Sequence, residues 1–538
     1  MSANLAEIAA ERGIKYFLIS YTDLFGNQRA KLVPAAAIAG MQKAGAGFAG
    51  FATWLDMTPA DPDLFARPDP ASLIQLPWKP DVAWLAADLW MSGQPVDHGP
   101  RNALKQQIAK AAALGLQLKT GVECEFFLIT PDGNCIADSA DTQSKPCYDQ
   151  QALMRRYDVI TEICDAMLSL GWAPYQNDHE DANGQFEMNW HYDDALVTAD
   201  RHAFFKFMVK SIAEKHGLRA TFMPKPFTNL TGNGCHMHVS LWQGEANVFV
   251  GPDTETGLSP LALNFIGGII NAADALAAIL NPSVNSYKRI NAPRTVSGAT
   301  WAPNAVTWTG NNRTHMIRVP EPDRFELRLA DGAVNPYLMP AAVLAAGLDG
   351  MAEKRDPGPR LDINMYTHGH LVEDVKKLPL NLLDALRALE NCAPLKAALG
   401  DVVPSYLKLK QQEWNDYAMR GFVLAALGIA MASATAGATP DVVQTPAMFS
   451  AEQVEDGRRL FADTCATCHG PNLEGAVAPS LTVPAFRSNY SSKPVRALYS
   501  KIISTMPVGQ PGTLSETQVL KLTALIYASN GLPVGDAP

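Results

Sequence analysis

An uncharged segment of 18 residues lies inside the chain, between Gly421 and Ala438. It reads GFVLAALGIAMASATAGA, follows Arg420, and ends in small residues at A-x-A spacing. At an N-terminus such a segment would be typical of a secretory signal, and 18 residues are also just long enough to span a bilayer. A buried alanine-rich helix is the alternative, but it explains neither Arg420 nor the A-x-A ending. The first two interpretations predict a boundary at residues 419–440, with separate folded units on either side.

Length and composition narrow the class of protein. At roughly 150 residues per domain, 538 residues predict three or four folded units. The chain is 47% apolar and 18% charged, which argues against a disordered, collagen-like or disulfide-stapled protein. Its net charge is −10, whereas non-specific nucleic-acid binding needs excess positive charge. We therefore expect small-molecule chemistry and no nucleic-acid partner.

The cysteines divide the chain in the same way as the apolar segment. Six are scattered between Cys124 and Cys392 without metal-site spacing, and two form Cys465-Ala-Thr-Cys468-His469. Scattered thiols are typical of a reduced compartment. We expect residues 1–418 to be cytoplasmic, and residues 441–538 to be periplasmic if the apolar segment is exported or anchored.

Local patterns predict the first elements. Strands are expected at Lys15–Ser20, from the turn Asp23–Asn27 through Val33, and at Ala83–Leu89. The Pro- and Asp-rich stretch Asp56–Pro80 is expected to be a loop, and Arg101–Leu114 a helix.

Four short segments alternate polar and apolar residues, which is the pattern of strands with one polar face. They are Val122–Phe127, Gln185–Trp190, His236–Ser240 and Arg324–Leu329. A polar face in water would explain any one of them. Four together, rich in acids, histidines and arginines but without lysine, predict a sheet whose polar face lines a cavity.

The polar residues of these strands and their neighbours indicate a chemistry. They are Glu123, Glu125, Glu180, Glu187 and Glu326, His236 and His238, and Arg289, Arg313, Arg318, Arg324 and Arg328. An oxygen-rich set without thiolates suits Mg²⁺ or Mn²⁺, and so many carboxylates need divalent cations to stay ionised together. The arginines offer forked donors to carboxylates or phosphates. The combination favours ATP-dependent phosphoryl transfer, although the chain has no P-loop and no kinase signature.

The chain resembles the glutamine synthetase family over residues 1 to about 418. The segments that stand in the family's order and approximate spacing are GVECEFF, NDHEDANGQFE, TGNGCHMHVS, NPSVNSYKR, NNRTHMIRVP and RFELRLADGAVNPYL. The resemblance implies an α+β fold with a β-grasp domain over residues 1–97. It further implies a catalytic domain over residues 98–418 with a curved antiparallel sheet and helices. A homo-oligomer, a dodecamer of stacked hexameric rings with active sites at subunit interfaces, is also implied.

The resemblance also implies a role for each matching residue. Glu125, Glu180 and Glu187 would hold one Mg²⁺ or Mn²⁺, and Glu123, His236 and Glu326 the second. His238, Ser240, Arg318 and Arg324 would bind ATP. Gly232, Arg289, Arg313 and Arg328 would bind glutamate or its transferred phosphate.

Two departures from the family pattern concern the amine. Members that use ammonia carry an Asp in a D-G-S-S segment and a Glu on a flap six residues after the arginine matching Arg289. This chain has Ala44 and Thr295 at those places, with Asp56 or Asp61 as alternatives for the first acid. The pattern resembles γ-glutamylmethylamide synthetase, since a methylated cation needs apolar room and fewer carboxylates. Ordinary glutamine synthetase is the alternative.

The motif at Cys465 predicts covalent attachment of haem c. C-x-x-C-H supplies two thioether cysteines, Cys465 and Cys468, and the iron ligand His469, whereas a zinc or redox site is the alternative. Capping boxes at Ser450-x-x-Gln453 and Ser515-x-x-Gln518 predict helices on either side. Residues 441–538 resemble a small all-α class I cytochrome c, which implies Met506 as the second iron ligand.

The sequence thus predicts an ATP-dependent ligase that joins glutamate to methylamine or ammonia through γ-glutamyl phosphate, followed by an electron-transfer domain with its own redox partner. An electron carrier with an inactive ligase-like region is the alternative from another class. The chain is either a natural fusion or two neighbouring genes joined in frame.

Overall fold

The computed structural model describes residues 3–251, 254, 256–293, 295–298, 300–434, 450–482, 486, 495–507 and 513–530. The chain divides into two compact units, Met1–Tyr417 and Ala418–Pro538. Each unit is described separately below.

A mixed sheet forms the N-terminal part of the first unit. Its strands are β1 Tyr16–Thr22, β2 Gln28–Pro34, β3 Ala46–Phe48, β4 Leu64–Pro68, β5 Ile74–Gln75, β6 Val82–Met91 and β7 Gln94–Pro95. The order is β2-β1-β6-β4-β3, with β5 and β7 also paired to β6, and β1 and β6 are parallel. The β1–β2 turn forms where predicted, because Asp23 Oδ1 accepts the backbone N–H groups of Phe25 and Asn27.

Two further sheets build the catalytic part. The first has the order β10-β11-β9-β13, and the second has the order β12-β8-β14-β18-β17-β16 with β15 added to β14. The strands are β8 Gln117–Cys124, β9 Phe126–Ile129, β10 Pro174–His179, β11 Gln185–Trp190, β12 Asp193–Asp194, β13 Arg219–Thr221, β14 Cys235–Gln243, β15 Ala246–Asn247, β16 Trp308–Thr309, β17 Ile317–Glu321 and β18 Arg324–Leu327. All these pairings are antiparallel except β16–β17, which is parallel.

Helices pack against these sheets in the first unit. They are α1 Leu5–Arg12, α2 Ile38–Ala44, α3 Pro100–Ala113, α4 Gln150–Arg155, α5 Tyr157–Ser169, α6 Ala195–Lys215, α7 Pro260–Asn271, α8 Ala273–Leu280, α9 Val284–Ile290, α10 Leu338–Ala352, α11 Met365–His368, α12 Leu382–Asn391 and α13 Ala393–Leu399. α14 runs from Val402 to Ala434, and the division between the units falls within it. One continuous hydrophobic core joins the β1–β6 region to the catalytic sheets and the buried helices α8 and α10.

Most predicted elements are confirmed. The strands expected at Lys15–Ser20 and Ala83–Leu89 and the helix Arg101–Leu114 lie within two residues of their expected ends, whereas Val122–Phe127 is divided between β8 and β9. Asp56–Pro80 is not simply a loop, since β4 and β5 lie inside it and both pair with β6. The prediction was wrong because β4 has only five residues and is flanked by Pro and Asp residues, which are typical of loops. Its residues Leu64 and Ala66 are nevertheless buried.

The second unit has its own hydrophobic core. Its helices are α15 Ala451–Thr464, α16 Ala466–His469, α17 Val495–Thr505 and α18 Glu516–Ser529. Both predicted capping boxes are present, at Ser450 and at Ser515. Val519, Leu522 and Ile526 of α18 are buried in this core, as their spacing predicts.

The apolar segment is only partly described. Residues up to Ala434 continue α14, and residues 435–449 lie outside the described chain. Among the described residues, no single helix is long and apolar enough to cross a membrane. Within that part of the chain, the bent pair of α7 and α8, at 75° to each other, is long and apolar enough only when both helices are taken together.

Candidate functional site

A cavity of about 380 Å³ lies where the two catalytic sheets meet. β8 ends at Cys124 and β9 begins at Phe126, so Glu125 occupies the point at which the chain passes from one sheet to the other. Glu123 and Glu125 nevertheless both line the cavity, as the alternation of the segment predicts. The opposite face carries Cys124 and Cys235, which are paired across β8 and β14 and buried in the core.

Strand register brings one predicted metal set together. His236 pairs with Glu123 across β8 and β14, and His238 pairs with Glu326 across β14 and β18. His236 Nδ1 lies 3.3 Å from Glu123 Oε2 and 3.5 Å from Glu326 Oε1. Ligand atoms of Glu123, His236 and Glu326 all lie within 4.8 Å of one another, which is close enough for one metal ion.

The other predicted set, Glu125, Glu180 and Glu187, is distributed over two overlapping groups. One group contains Glu125, Glu187 and His236, and the other contains Asp178, Glu180 and Glu187. Asp178 was missed in the sequence, although it lies in the quoted segment NDHEDANGQFE, because it stands outside the four alternating segments and β10 was not predicted as a strand. Its register partner is Glu187 of β11, so only the fold reveals the group.

The carboxylates divide electrostatically into two classes. Burial and the neighbouring carboxylates raise the pKa values of Glu180 and Glu187, and burial with Glu125 and Glu123 raises the pKa of Asp178 to about 6. Burial also opposes ionisation of Glu326, but Arg328 and His236 outweigh it and lower its pKa to about 2. Hydrogen bonds from His236 and His238 overcome burial at Glu123 and lower its pKa. The first class therefore needs added positive charge to ionise.

This donor set fits divalent metal ions. Carboxylate oxygens and one or two imidazoles are ligands that Mg²⁺ and Mn²⁺ accept. His236 Nε2 and Asp178 Oδ1 are buried and lack a hydrogen-bond partner in the described part of the chain, so both atoms are available as ligands. Gly234 keeps this space open, since a Cβ there would lie 2.7 Å from His236 Nε2 and 3.0 Å from Glu125 Oε1.

Arginines cover another side of the same cavity. Arg328 Nη1 donates to Glu326 Oε1 at 2.5 Å, and Arg318 Nη1 donates to Glu326 Oε2 at 2.7 Å. Arg289 is buried, and its Nε and Nη1 have no hydrogen-bond partner among the described residues. Arg313 and Gly232 also line the cavity. Arg289 in particular leaves donors for the anionic group of a substrate.

A second cavity of about 330 Å³ shares Glu123 with the first. It contains three of the four predicted ATP-binding residues, His238, Ser240 and Arg324, whereas Arg318 lies in the first cavity. Arg324 Nε donates to His238 Nδ1 at 3.2 Å, which leaves the Nε2 proton of His238 for Glu123 Oε1 at 2.9 Å. The sequence interpretation missed the aromatic lining of this cavity, namely Tyr175, Trp190, Tyr192 and Trp242.

The flap residue Thr295 is buried beside the first cavity. Its Oγ1 lies 3.1 Å from Ser297 Oγ and 3.3 Å from Thr231 Oγ1. Ala44 ends α2, Asp56 accepts a bond from Lys408 at 2.5 Å, and Asp61 is exposed and bonded to Thr58. None of these last three lines either cavity.

Comparison with known proteins decides the family. Residues 97–422 match the model of the glutamine synthetase catalytic domain. A glutamine synthetase from Rhizobium meliloti (strain 1021) is 69% identical over 420 residues, covering 78% of this chain and 97% of that protein. The chain belongs to the glutamine synthetase family.

Further members of the glutamine synthetase family resemble the same part of the chain. A glutamate–methylamine ligase from Methyloversatilis universalis is 43% identical over 416 residues, covering 76% of this chain and 94% of that protein. A solved structure of a GmaS/ADP complex is 67% identical with a TM-score of 0.75, covering 77% of this chain and 96% of that one. The predicted fold and ligase class are thereby confirmed. Membership implies glutamate, ATP, ammonia or an amine, and divalent metal ions.

The second unit carries the predicted haem motif at the junction of α15 and α16. Cys465 and Met506 both pack against the core of this unit. His469 Nδ1 donates to the backbone oxygen of Pro479 at 2.8 Å, which leaves Nε2 for another partner. Residues 452–526 match the model of cytochrome c oxidase, cbb3-type, subunit III. The glutamine synthetase region is therefore followed by a cytochrome c domain, which implies haem.

Proposed function

We propose that residues 1–418 join the γ-carboxyl group of glutamate to methylamine, with ATP cleaved to ADP and phosphate. The observation that carries the choice of amine is Thr295. The side chain at this flap position is a buried hydroxyl that bonds to the hydroxyls of Thr231 and Ser297, where ammonia-using members carry a carboxylate. Likeness to a glutamate–methylamine ligase and to a GmaS/ADP complex supports the same choice.

The residues divide the work of two transfers. Divalent ions would be held by two sets of ligands, Glu123, His236 and Glu326 in one and Glu125, Asp178, Glu180 and Glu187 in the other. When bound, such ions neutralise charge on a transferring phosphoryl group. The γ-carboxylate attacks the terminal phosphorus of ATP and ADP leaves. The amine loses its ammonium proton to solvent and attacks the acyl carbon, and phosphate leaves as the nitrogen gives up a second proton. Arg289 and Arg328 hold the anionic intermediate, since both are buried and line the cavity.

Ordinary glutamine synthetase activity is the second candidate. The 69% identity to the Rhizobium meliloti glutamine synthetase favours it. Mass spectrometry of the products formed from glutamate, ATP and equal concentrations of ammonia, methylamine and ethylamine separates the candidates. Mainly γ-glutamylmethylamide is expected. If ammonia is turned over as efficiently as methylamine, the assignment changes from methylamide synthesis to glutamine synthesis.

We also propose that the second unit binds haem c covalently through Cys465 and Cys468, with His469 and Met506 as iron ligands, and acts in electron transfer. The position of Cys465 and Met506 on one hydrophobic core supports this assignment. A haem that stays with the chain after acid–acetone extraction, with a low-spin spectrum, is the expected result. Complete extraction would contradict it.

A further inference from the structure

One acid of the larger cavity has no place among the metal groups. The acidic residues that line it are Glu123, Glu125, Asp178, Glu180, Asp181, Glu187 and Glu326. Six of them belong to the groups of converging ligands among the described residues, and Asp181 does not. Its carboxylate therefore calls for a separate explanation.

Two hydroxyl groups hold this carboxylate. Asp181 Oδ2 accepts bonds from Thr231 Oγ1 at 2.9 Å and from Ser297 Oγ on the flap. The side chain is buried, with 9% exposed, and it forms no ion pair within the described part of the chain. A buried anion without a cationic partner is costly, and hydroxyl donors offset only part of that cost. A cationic ligand would complete the site.

The surroundings of Asp181 suit an alkylammonium ion. Thr231 adjoins Gly232 in the chain, and a Cβ on Gly232 would lie 3.1 Å from Arg289 Cγ, so the acidic and basic ends of the cavity are neighbours. Trp301 and Tyr148 also line the cavity, and both hold positive φ angles of 51° and 64°. Aromatic faces attract ammonium groups, and bulky residues in this conformation are uncommon away from functional sites.

We propose that Asp181 binds the ammonium group of the amine substrate, held in place by Thr231 and Ser297. This assignment rests on the proposed amine ligation. It gives the flap a role through Ser297, which reaches the same carboxylate oxygen as Thr231.

The test compares a charged amine with an uncharged one. Asp181→Asn keeps the shape and removes the charge, so the KM for methylamine should rise roughly 10- to 100-fold, as expected for loss of a hydrogen bond to a charged group. Hydroxylamine is largely uncharged at neutral pH, and its KM should change much less. The KM values for glutamate and ATP should stay within about threefold of the wild type, because the metal groups and arginines are intact.

Matched variants complete the experiment. Asp181→Glu should recover part of the methylamine affinity, and Asp165→Asn, which removes an exposed acid of α5 outside both cavities, should have no effect. Equal KM increases for methylamine and hydroxylamine in Asp181→Asn would overturn the assignment. A wild type that ligates no amine to glutamate would instead overturn the proposed function, so the two failures are distinguishable.

Discussion

Single atoms decide how the metal groups are arranged. Glu326 is fully buried and accepts bonds from Arg318 and Arg328, so its two oxygens are oriented before any ligand binds. Gly234 leaves the space between His236 and Glu125 that a methyl group would fill. The sequence singled out the charged residues, whereas the glycine became visible only when the fold placed its Cα between them.

Glu326→Gln should reduce ATP-dependent ligation by at least about 100-fold, because it removes one charged ligand and leaves two arginines without their carboxylate. Mn²⁺ titration and steady-state kinetics measure both effects. Glu390→Gln is the control, since it makes the same chemical change at an exposed position of α12 outside both cavities. Full activity of Glu326→Gln with normal Mn²⁺ affinity would remove Glu326 from the site.

The raised pKa values of Asp178, Glu180 and Glu187 predict a pH-dependent effect of metal on stability. Without metal, the folded protein holds protons that the unfolded chain releases, so its free energy of unfolding should fall as the pH rises from about 4 through about 6. The lowered pKa values of Glu123 and Glu326 act in the opposite direction, and only at lower pH.

Mn²⁺ replaces these protons, so it should raise the Tm more at about pH 7.5 than at about pH 5. Differential scanning calorimetry with and without Mn²⁺ measures the difference. An equal increase at both pH values would show that these carboxylates do not take up protons in the metal-free protein.

At the scale of elements, alternation along strands was the most informative signal. It predicted that Glu123, Glu187, His236 and Glu326 share a cavity, and the register of β8, β14 and β18 brings three of them together. Alternation could not predict that the chain changes sheets at Glu125, since this depends on long-range pairing. The aromatic lining of the second cavity was also missed, because Trp190 and Trp242 have the same pattern as core residues.

The capping box of α18 allows a test of the second unit. Ser515 Oγ accepts the Gln518 N–H at 3.3 Å, and Gln518 Oε1 accepts the Ser515 N–H at 2.9 Å. Ser515→Ala should destabilise this unit by about 1 kcal/mol, measured by denaturant unfolding followed at the haem absorption band. Ser515→Asp should retain most of the stability. An unchanged free energy of unfolding in Ser515→Ala would mean that the capping box of α18 does not stabilise this unit.

At the scale of the whole molecule, two hydrophobic cores accompany two kinds of chemistry. The residues of the core around Phe461 and Leu525 are separate from those of the large core of the first unit. The carboxylate and arginine cavity belongs to the first unit, and the haem motif belongs to the second. Each chemistry therefore has its own structural support.

His469→Ala should abolish the low-spin haem spectrum and leave the kcat and KM of amine ligation unchanged, because the two units share no site residue. Absorption spectroscopy and ligation kinetics on the full chain measure both. Asn472→Ala, an exposed change near the motif, is the control for general damage. Loss of both ligation activity and the low-spin haem spectrum would show that ligation depends on the haem domain.

In the strands at the centre of the catalytic part, substitutions at even-numbered and odd-numbered positions should have different effects. In β14 and β18, even-numbered positions such as His236, His238 and Glu326 reach the cavities, whereas odd-numbered positions such as Met237 and Phe325 are buried in the core. In a library of all single substitutions, sorted once for cellular abundance and once for growth that depends on the ligase, tolerance in the abundance sort should therefore alternate with a period of two. Variants at odd positions would be scarce in both sorts, and variants at even positions would be abundant but inactive. Mutations at even-numbered positions would then abolish the activity of this chain while its fold stays intact.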